Sequence, residues 1–389
     1  MSSAQVPEAT TATTAESVPS SDGSGPSRRG GGSGDGLPGR LREALARPGA
    51  PTRLVLTLML VAAALWAADA GPYINLIAQS CAIFAIASIG QSILVGGAGQ
   101  IALSGGAFMA IGAFTAGILV GWGVESFPVV LLGCAFVGWL VGIVSGLPGL
   151  RFKGLYLLLS SLALQFIVTS LTRQYQAEYH PAGLVLPPLQ IGSWDLSYGT
   201  NLYWTLIVIL LVIYAATALV ERTGVGLAWR ALKESEVAAA MSGVDVVRWK
   251  LYAFAASGAV TAIAGCLFAY WVGRADYESY TLTLTITLVT MIFIGGVGSR
   301  LGAILGAVVI SVLPYVLQNQ VSVWMQNAGI SFDWYLSNVN TVNAGLFSLL
   351  FLLVILFEPD GLEGILRKIE SGIRSLLRRS SSTSKEAAR

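Results

Sequence analysis

Charged residues are scarce in this sequence. Of its 389 residues only 11% are Asp, Glu, Lys or Arg, whereas a soluble domain contains about 25%. Hydrophobic residues make up 54%. A chain this apolar is not expected to dissolve as a globular domain, so the composition predicts a polytopic membrane protein. The 45 glycines suit membrane helices that pack closely.

Residue types that carry chemistry are also few. The three cysteines share no CxxC spacing and there is a single histidine, which argues against a disulfide framework or a metal site. The sequence contains no paired carboxylates or activated nucleophile at the predicted membrane surface, so we expect neither an enzyme nor a cofactor. It also lacks the phosphate-binding GxxxxGK[ST] pattern. Energy for any work must therefore come from a partner protein or an ion gradient, and we expect no nucleic-acid partner.

The apolar runs predict an all-α bundle of about ten transmembrane helices, since a span needs about 20 mostly apolar residues. The second and third spans are hard to separate, because residues 70–124 contain no Asp, Glu, Lys, Arg or His. A re-entrant or broken helix at 96–108 is therefore possible, and the count can change by one or two. The predicted spans are 53–70, 74–95, 101–122, 127–148, 154–172, 201–220, 251–272, 280–297, 301–318 and 342–358.

Basic residues orient these spans, because cytoplasmic segments are enriched in Lys and Arg. Arginines cluster before the first span and after the last one, so both termini are predicted to be cytoplasmic and the protein to lie in the cell membrane. Within the predicted transmembrane domain, 51–360, the loop 221–250 is then cytoplasmic and the segment 173–200 extracytoplasmic.

The two tails differ in composition. Residues 1–50 are rich in Ser, Thr, Gly and Pro and are predicted to be a disordered cytoplasmic tail. Residues 361–389 contain a basic amphipathic stretch, which predicts a helix on the anionic lipid of the inner leaflet. Contact with a cytoplasmic partner is the alternative for this C-terminal tail.

The cytoplasmic loop 221–250 is unusually charged for this chain. Its sequence predicts one helix over Leu227–Met241, stopped by Gly243, in which Arg230 and Glu234 pair at i,i+4 spacing. Asp245 is predicted to cap a second, short helix that carries Arg248 and Lys250 back to the membrane.

One face of the predicted loop helix consists mainly of small residues. Such a face allows another surface to approach closely, whereas a lipid-facing helix would present large apolar side chains. Docking to a cytoplasmic partner, a helix that only links two spans, and a substrate-binding element all remain open. The face comprises Leu227, Ala228, Ala231, Leu232, Ser235, Ala238 and Ala239.

Two glycine-rich stretches, 96–108 and 295–308, follow long apolar runs. Glycines allow helices to cross closely, or allow a helix to break and line a path, and both interpretations stay open. The first stretch also has uncharged polar side chains that could bind a passing solute. The candidate path residues are Gln91, Gln100, Ser104 and Gly105.

No ionisable residue lies at the centre of a predicted span. Because such residues mark proton relays and ion-coupled sites, their absence weakens the case for a proton-driven carrier. A sodium-coupled secondary transporter that uses only carbonyl and hydroxyl groups remains an alternative.

Four stretches, in order along the chain, resemble the permease subunits of the branched-chain amino acid ATP-binding cassette (ABC) transporter family. The resemblance covers roughly residues 55–360. The stretches are LVGGAGQIALSGGAFMAIGAFTAGIL, RFKGLYLLLSSLAL, ALKESEVAAAMSGVDVVRWKLYAFAASGAVTAIAGCLFA and LTLTITLVTMIFIGGVGSRLGAILGAVVI.

The resemblance implies an importer subunit that depends on separate cytoplasmic ATPase subunits. A second permease subunit and an extracytoplasmic solute-binding protein are the other implied partners. Branched-chain amino acids are the implied solute, with urea, amides or aromatic acids as alternatives.

The resemblance also implies which loop residues couple to the ATPase. The family's acidic-Ala-Ala-Gly pattern falls on Glu236, Ala238, Ala239 and Gly243, and we add the charged neighbours Arg230 and Glu234. The Leu-Pro that ends this pattern in many other importers is absent, since Val247 and Arg248 stand in that neighbourhood.

Overall fold

A computed structural model describes residues 71–327, apart from 125, 152–153, 189, 192–193 and 196–199, together with the isolated positions 341, 345 and 349. The predicted first span at 53–70 and the predicted tails at 1–50 and 361–389 lie outside the described residues. Of the predicted tenth span, only positions 345 and 349 are described.

The described chain is mainly helical. Its α-helices are α1 (Pro72–Ser92), α2 (Gly105–Gly121), α3 (Phe127–Arg151), α4 (Leu155–Tyr179), α5 (Thr200–Arg222), α6 (Gly224–Glu234), α7 (Glu236–Met241), α8 (Val246–Val272), α9 (Leu282–Gly295) and α10 (Arg300–Asn327). A π-helical turn, Ile93–Gly97, continues α1, and a 3-10 helix, Tyr277–Tyr280, precedes α9. The strands are β1 (Leu184–Val185), β2 (Gln190–Ile191), β3 (Trp194–Asp195) and β4 (Arg274–Ala275).

The eight predicted spans between positions 74 and 318 are all found as helices, which confirms the all-α membrane bundle within the described residues. Five helical segments are long and apolar enough to cross a membrane, namely Pro72–Gly97, Phe127–Gly149, Tyr156–Tyr179, Thr200–Arg222 and Val246–Val272. Shorter apolar helices cover Gly105–Gly121, Leu282–Gly295 and Arg300–Tyr315.

Two boundaries differ from the sequence expectation in an informative way. Helix α4 continues to Tyr179, so it includes the first residues of the segment predicted as an extracytoplasmic loop. Helix α8 begins at Val246 because the Asp245 side chain accepts a hydrogen bond from the backbone N–H of Arg248. The capping role of Asp245 is confirmed. The prediction of a separate short helix after it was wrong, since Arg248 and Lys250 lie in the first turns of α8.

Helices α1 and α8 form the centre of the bundle. Helix α8 packs most extensively against α3, α2 and α1, and glycines allow the close approach. Gly112 of α2 faces the backbone of Ala262, and Gly265 of α8 faces the backbone of Met109, with no room for a Cβ atom at either glycine. Helices α3, α4 and α5 instead leave much of their apolar surface exposed.

Contacts between separate segments hold each end of the bundle together. At one end β1 pairs with β4 in antiparallel register, Leu184 opposite Ala275. At the other end Arg300 Nη2 lies 3.3 Å from Glu221 Oε2.

Candidate functional site

The charged loop folds as two short helices, so the prediction of one continuous helix was wrong. Ser235 interrupts it with an extended backbone (φ −163°, ψ 119°), and its side chain accepts a hydrogen bond from the N–H of Ala238. Serine competes with helix continuation by capping a new helix in this way. The predicted stop at Gly243 is confirmed, because this residue has φ 81°.

Much of the small-residue face of the loop packs inward. Ala228, Leu232 and Ala239 are each less than 10% exposed and join a buried cluster with Leu94 of the π-helical turn. Trp229, which is not part of that face, is buried in the same cluster and donates a hydrogen bond to the Trp249 carbonyl at 3.0 Å. This face stabilises the loop against its own chain.

Large apolar side chains stay exposed on α7, as Leu227 also does on α6 at 69%. Met241 is 85% exposed and Val237 is 66% exposed. Such exposure of large apolar side chains in a charged loop indicates a contact surface. We call this surface the α7 tip; it comprises Val237, Ala238, Ala240, Met241 and Gly243.

Arg230 and Glu234, the charged candidates on α6, are both exposed. Arg230 Nη2 donates to the backbone carbonyl of Glu221 at 3.2 Å. The predicted Arg230–Glu234 ion pair is not formed, although the structure describes both residues.

A buried ion pair attaches α7 to the rest of the chain. Glu236 Oε1 lies 2.6 Å from Lys250 Nζ, whose side chain is only 3% exposed. The amide of Gln100 also reaches Glu236 Oε1, at 3.4 Å. Glu236 therefore connects the start of α7 to α8 and to the first glycine-rich stretch.

Lys233, which sequence reasoning did not select, attaches the end of α6 to α1. Its Nζ donates to the Gly96 carbonyl at 2.9 Å. A Cβ on Gly96 would lie 2.9 Å from the N and Cα atoms of Gly298. The charged loop, the end of α1 and the turn between α9 and α10 thus meet at one point.

The four candidate path residues divide into two places. Gln91 is fully buried with no hydrogen-bond partner among the described residues for either amide atom, and the same holds for Ser104 Oγ. Gly105 lies beside Gln91, since a Cβ there would be 2.9 Å from Gln91 Nε2. Gln100 is not part of this group, because it contacts Glu236 in the loop.

The first glycine-rich stretch contains a helix break, as one of the two open interpretations predicted. The π-helical turn ends at Gly97, and α2 begins only at Gly105. The second stretch shows both features: α9 ends at Gly295 and α10 begins at Arg300, while Gly295 packs on the backbone of Gly302 and Gly306 so closely that a Cβ would not fit.

The first turn of α2 is held inside the bundle by Gln165, which sequence reasoning also missed. Its Oε1 accepts from the N–H of Ala107 at 2.6 Å and from Thr285 Oγ1 at 2.9 Å, and its Nε2 donates to the Tyr280 carbonyl at 3.0 Å. Gln165 lies ten positions into α4, about 15 Å along the helix axis. Helices α2 and α9 therefore begin well inside the bundle.

No group of three or more His, Cys, Asp or Glu side chains that could hold a metal ion occurs in the part of the chain that the structure describes.

Known proteins resemble this chain over most of the described region. The sequence profile of one family, described as "Branched-chain amino acid transport system / permease component", matches residues 73–357. The high-affinity branched-chain amino acid transport system permease protein LivM of Salmonella typhimurium is 30% identical over 285 residues, which is 67% of each chain. LivM of Escherichia coli is 29% identical over 285 residues, which is again 67% of each chain.

A more distant relative is archaeal. The probable branched-chain amino acid transport permease protein LivM of Methanocaldococcus jannaschii is 24% identical over 253 residues, or 63% of this chain and 69% of that protein. No solved structure matched the chain.

Proposed function

Since this chain belongs to the family of permease components of branched-chain amino acid transport systems, we propose that it is the membrane-spanning subunit of an ABC importer. The solute is a branched-chain amino acid or a related small molecule. The observation that carries the proposal is the α7 tip, an exposed apolar surface on a loop whose other sides are fixed to α1, α8 and α10. Such a loop can receive a force from a bound protein and pass it to the membrane helices.

The proposed partner at the α7 tip is the cytoplasmic ATPase. Its small residues, Ala238, Ala240 and Gly243, would let a cleft close around α7, while Val237 and Met241 supply apolar contact area. Arg230 and Glu234 are exposed beside it and can make charged contacts at the rim. Glu236 and Ala239 act from inside the chain, since one binds buried Lys250 and the other is itself buried.

The exposed apolar faces of α3, α4 and α5 fit lipid and a second permease subunit. Leu132, Phe166 and Val212 on these helices are each more than half exposed. At the other end of the bundle, the paired strands β1 and β4 fix two segments that would receive the extracytoplasmic solute-binding protein.

We propose Gln91, Ser104 and Gly105 as the part of this chain that contacts the solute. Burying a polar group without a partner costs about 1–3 kcal/mol, so the unpartnered Gln91 and Ser104 are costly unless another state supplies partners. A passing solute could supply them if ATP-driven movement of the loop opened the region around α1 and α2. Gln100 belongs instead with the coupling loop.

The experiment is co-purification of the ATPase subunits with the full chain, together with uptake into proteoliposomes. Met241→Asp should reduce ATPase recovery and uptake at least about tenfold, because a charge in an apolar contact costs more than ~1.4 kcal/mol. Met241 is exposed, so this variant should fold normally. The matched control for ATPase recovery is Val185→Asp, an apolar residue that is 75% exposed at the opposite end of the molecule.

Equal ATPase recovery with both variants would contradict docking at the α7 tip. Uptake that follows an imposed sodium or proton gradient without ATP would contradict the ABC importer and favour an ion-coupled carrier. Solute identity requires a separate measurement, in which leucine, urea, a short amide and an aromatic acid compete for uptake.

A further inference from the structure

Lys233 lies where three separate segments of the chain meet. Its ammonium donates to the carbonyl of Gly96 in the π-helical turn that ends α1. Its aliphatic stem crosses Gly99, where a Cβ would be 3.1 Å from Cγ. A Cβ on Gly298 would lie 3.1 Å from Lys233 Nζ, so the ammonium also borders the turn between α9 and α10.

The contact between Lys233 and Gly96 has a clear electrostatic basis. The last carbonyls of a helix lack partners within the helix and carry partial negative charge. A lysine ammonium placed there satisfies a carbonyl and stabilises the helix end. The π-helical turn itself is a wide, irregular turn of the kind often found at functional sites, and its backbone can change more readily than that of a regular α-helix.

The two attachments of the coupling loop differ in burial. The Glu236–Lys250 pair is largely removed from solvent, with side chains 20% and 3% exposed. Lys233 is exposed as a residue while its hydrogen bond to Gly96 is partly buried, so this contact is more open to water than the Glu236–Lys250 pair. The buried pair therefore suits a fixed attachment, whereas the Lys233 contact suits one that is made and broken.

We infer that Lys233 is a positioning residue that transmits movement of the coupling loop to the end of α1 and to the Gly298 turn packed against it. The inference rests on the proposed function, because the movement comes from the docked ATPase. Gln91 lies on α1 five positions before Gly96, about 7.5 Å along the axis. Displacement of the π-helical turn would thus reach the residues proposed to contact the solute.

The test compares ATP hydrolysis with solute uptake in proteoliposomes that hold the full complex, using leucine as the probe and saturating binding protein. Lys233→Met keeps a similar stem over Gly99 but removes the ammonium. We expect normal ATPase recovery and retained hydrolysis, with uptake lower by about tenfold. The number of ATP molecules hydrolysed per leucine should rise accordingly, and Lys233→Arg should restore part of the coupling because it keeps the charge.

Arg222→Met is the matched control. Arg222 is an exposed cation at the end of α5 and belongs neither to the α7 tip nor to its charged rim. Its ratio of ATP hydrolysed to leucine taken up should stay near that of the unmodified protein. If Lys233→Met does not yield a monodisperse complex, Lys233→Gln, which is shorter and uncharged, should show the same raised ratio.

Two results would overturn the role of Lys233. One is a ratio of ATP to leucine within about twofold of the unmodified protein, below the tenfold change expected for loss of a charged hydrogen bond. The other is loss of ATPase recovery in step with uptake, which would assign Lys233 to docking. Failure of the proposed function itself would be distinguishable, because the unmodified chain would then recover no ATPase.

Discussion

Glu236 and Lys250 form an ion pair of 2.6 Å in which the lysine side chain is almost completely buried. The two residues belong to different helices, α7 and α8, and their pairing fixes the start of α7 to the central helix α8.

Glu236→Gln should destabilise the protein by about 3–5 kcal/mol, because it leaves the buried ammonium of Lys250 without a compensating charge. Thermal unfolding in detergent, followed by loss of the monodisperse peak, would report a lower midpoint. Glu234→Gln is the control, since Glu234 is exposed on the neighbouring helix. The double variant Glu236→Gln, Lys250→Met should recover most of the loss. A single variant as stable as the control would contradict this assignment.

Gln165→Leu should lower stability, because it removes the partner of the Ala107 N–H and of the Tyr280 carbonyl at the buried starts of α2 and α9. Each buried group left without a partner costs about 1–3 kcal/mol. Thermal unfolding in detergent would report a lower midpoint. Gln174→Leu makes the same substitution at an exposed position of the same helix and should have little effect. If both variants unfold at the same temperature, Gln165 does not hold these helix starts.

Gly112→Ala should prevent assembly of a stable bundle. An added Cβ would collide with the backbone of Ala262 on α8, and two packed helices cannot separate there without losing contacts along their length. Gly121→Ala, on the same helix, meets no atom within 4 Å and should be tolerated. The yield of monodisperse protein distinguishes them, and normal yield of Gly112→Ala would show that α2 and α8 are not so closely packed.

Gln91→Leu should maintain or raise stability while lowering uptake. Both amide atoms of Gln91 lack partners among the described residues, and replacing an unsatisfied buried polar group by an apolar one of similar size removes its cost. If the amide binds solute, uptake should fall at least about tenfold, the effect of losing ~1.4 kcal/mol.

The contrasting control for Gln91 is Gln79 on the same helix. Its Oε1 accepts from Trp271 Nε1 at 2.9 Å and its Nε2 bonds Asn75, so Gln79→Leu should lower stability. Unchanged uptake with Gln91→Leu would remove Gln91 from the proposed path.

The sequence predicted the spans well because their boundaries depend on local composition. Apolar runs interrupted by charge or by turn-forming residues located the eight helices between 74 and 318. The Asp245 side chain caps a helix, and Gly243 adopts the positive φ of a helix stop, at the predicted positions. The continuous loop helix was wrong because a helical wheel cannot show that Ser235 will cap a new helix.

The contacts of the site were less accessible to sequence reasoning. Lys233 was not selected from the sequence, because its partner Gly96 lies 137 positions away. Gln165 offered a signal, a single amide within the apolar fifth span. Its partners on α2 and α9 still depend on how three helices pack, which no local pattern contains.

Helix α8 connects the two ends of the molecule without interruption. It starts at the Asp245 cap beside the coupling loop, contains no proline, and ends at Gly273, directly before strand β4. Its 27 residues span about 40 Å. A tilt of about 5° would move its far end by roughly 3.5 Å over this length. Helix α8 is thus a rigid connection between the two ends. A small displacement of the loop at its start can shift the paired strands β1 and β4 at its other end.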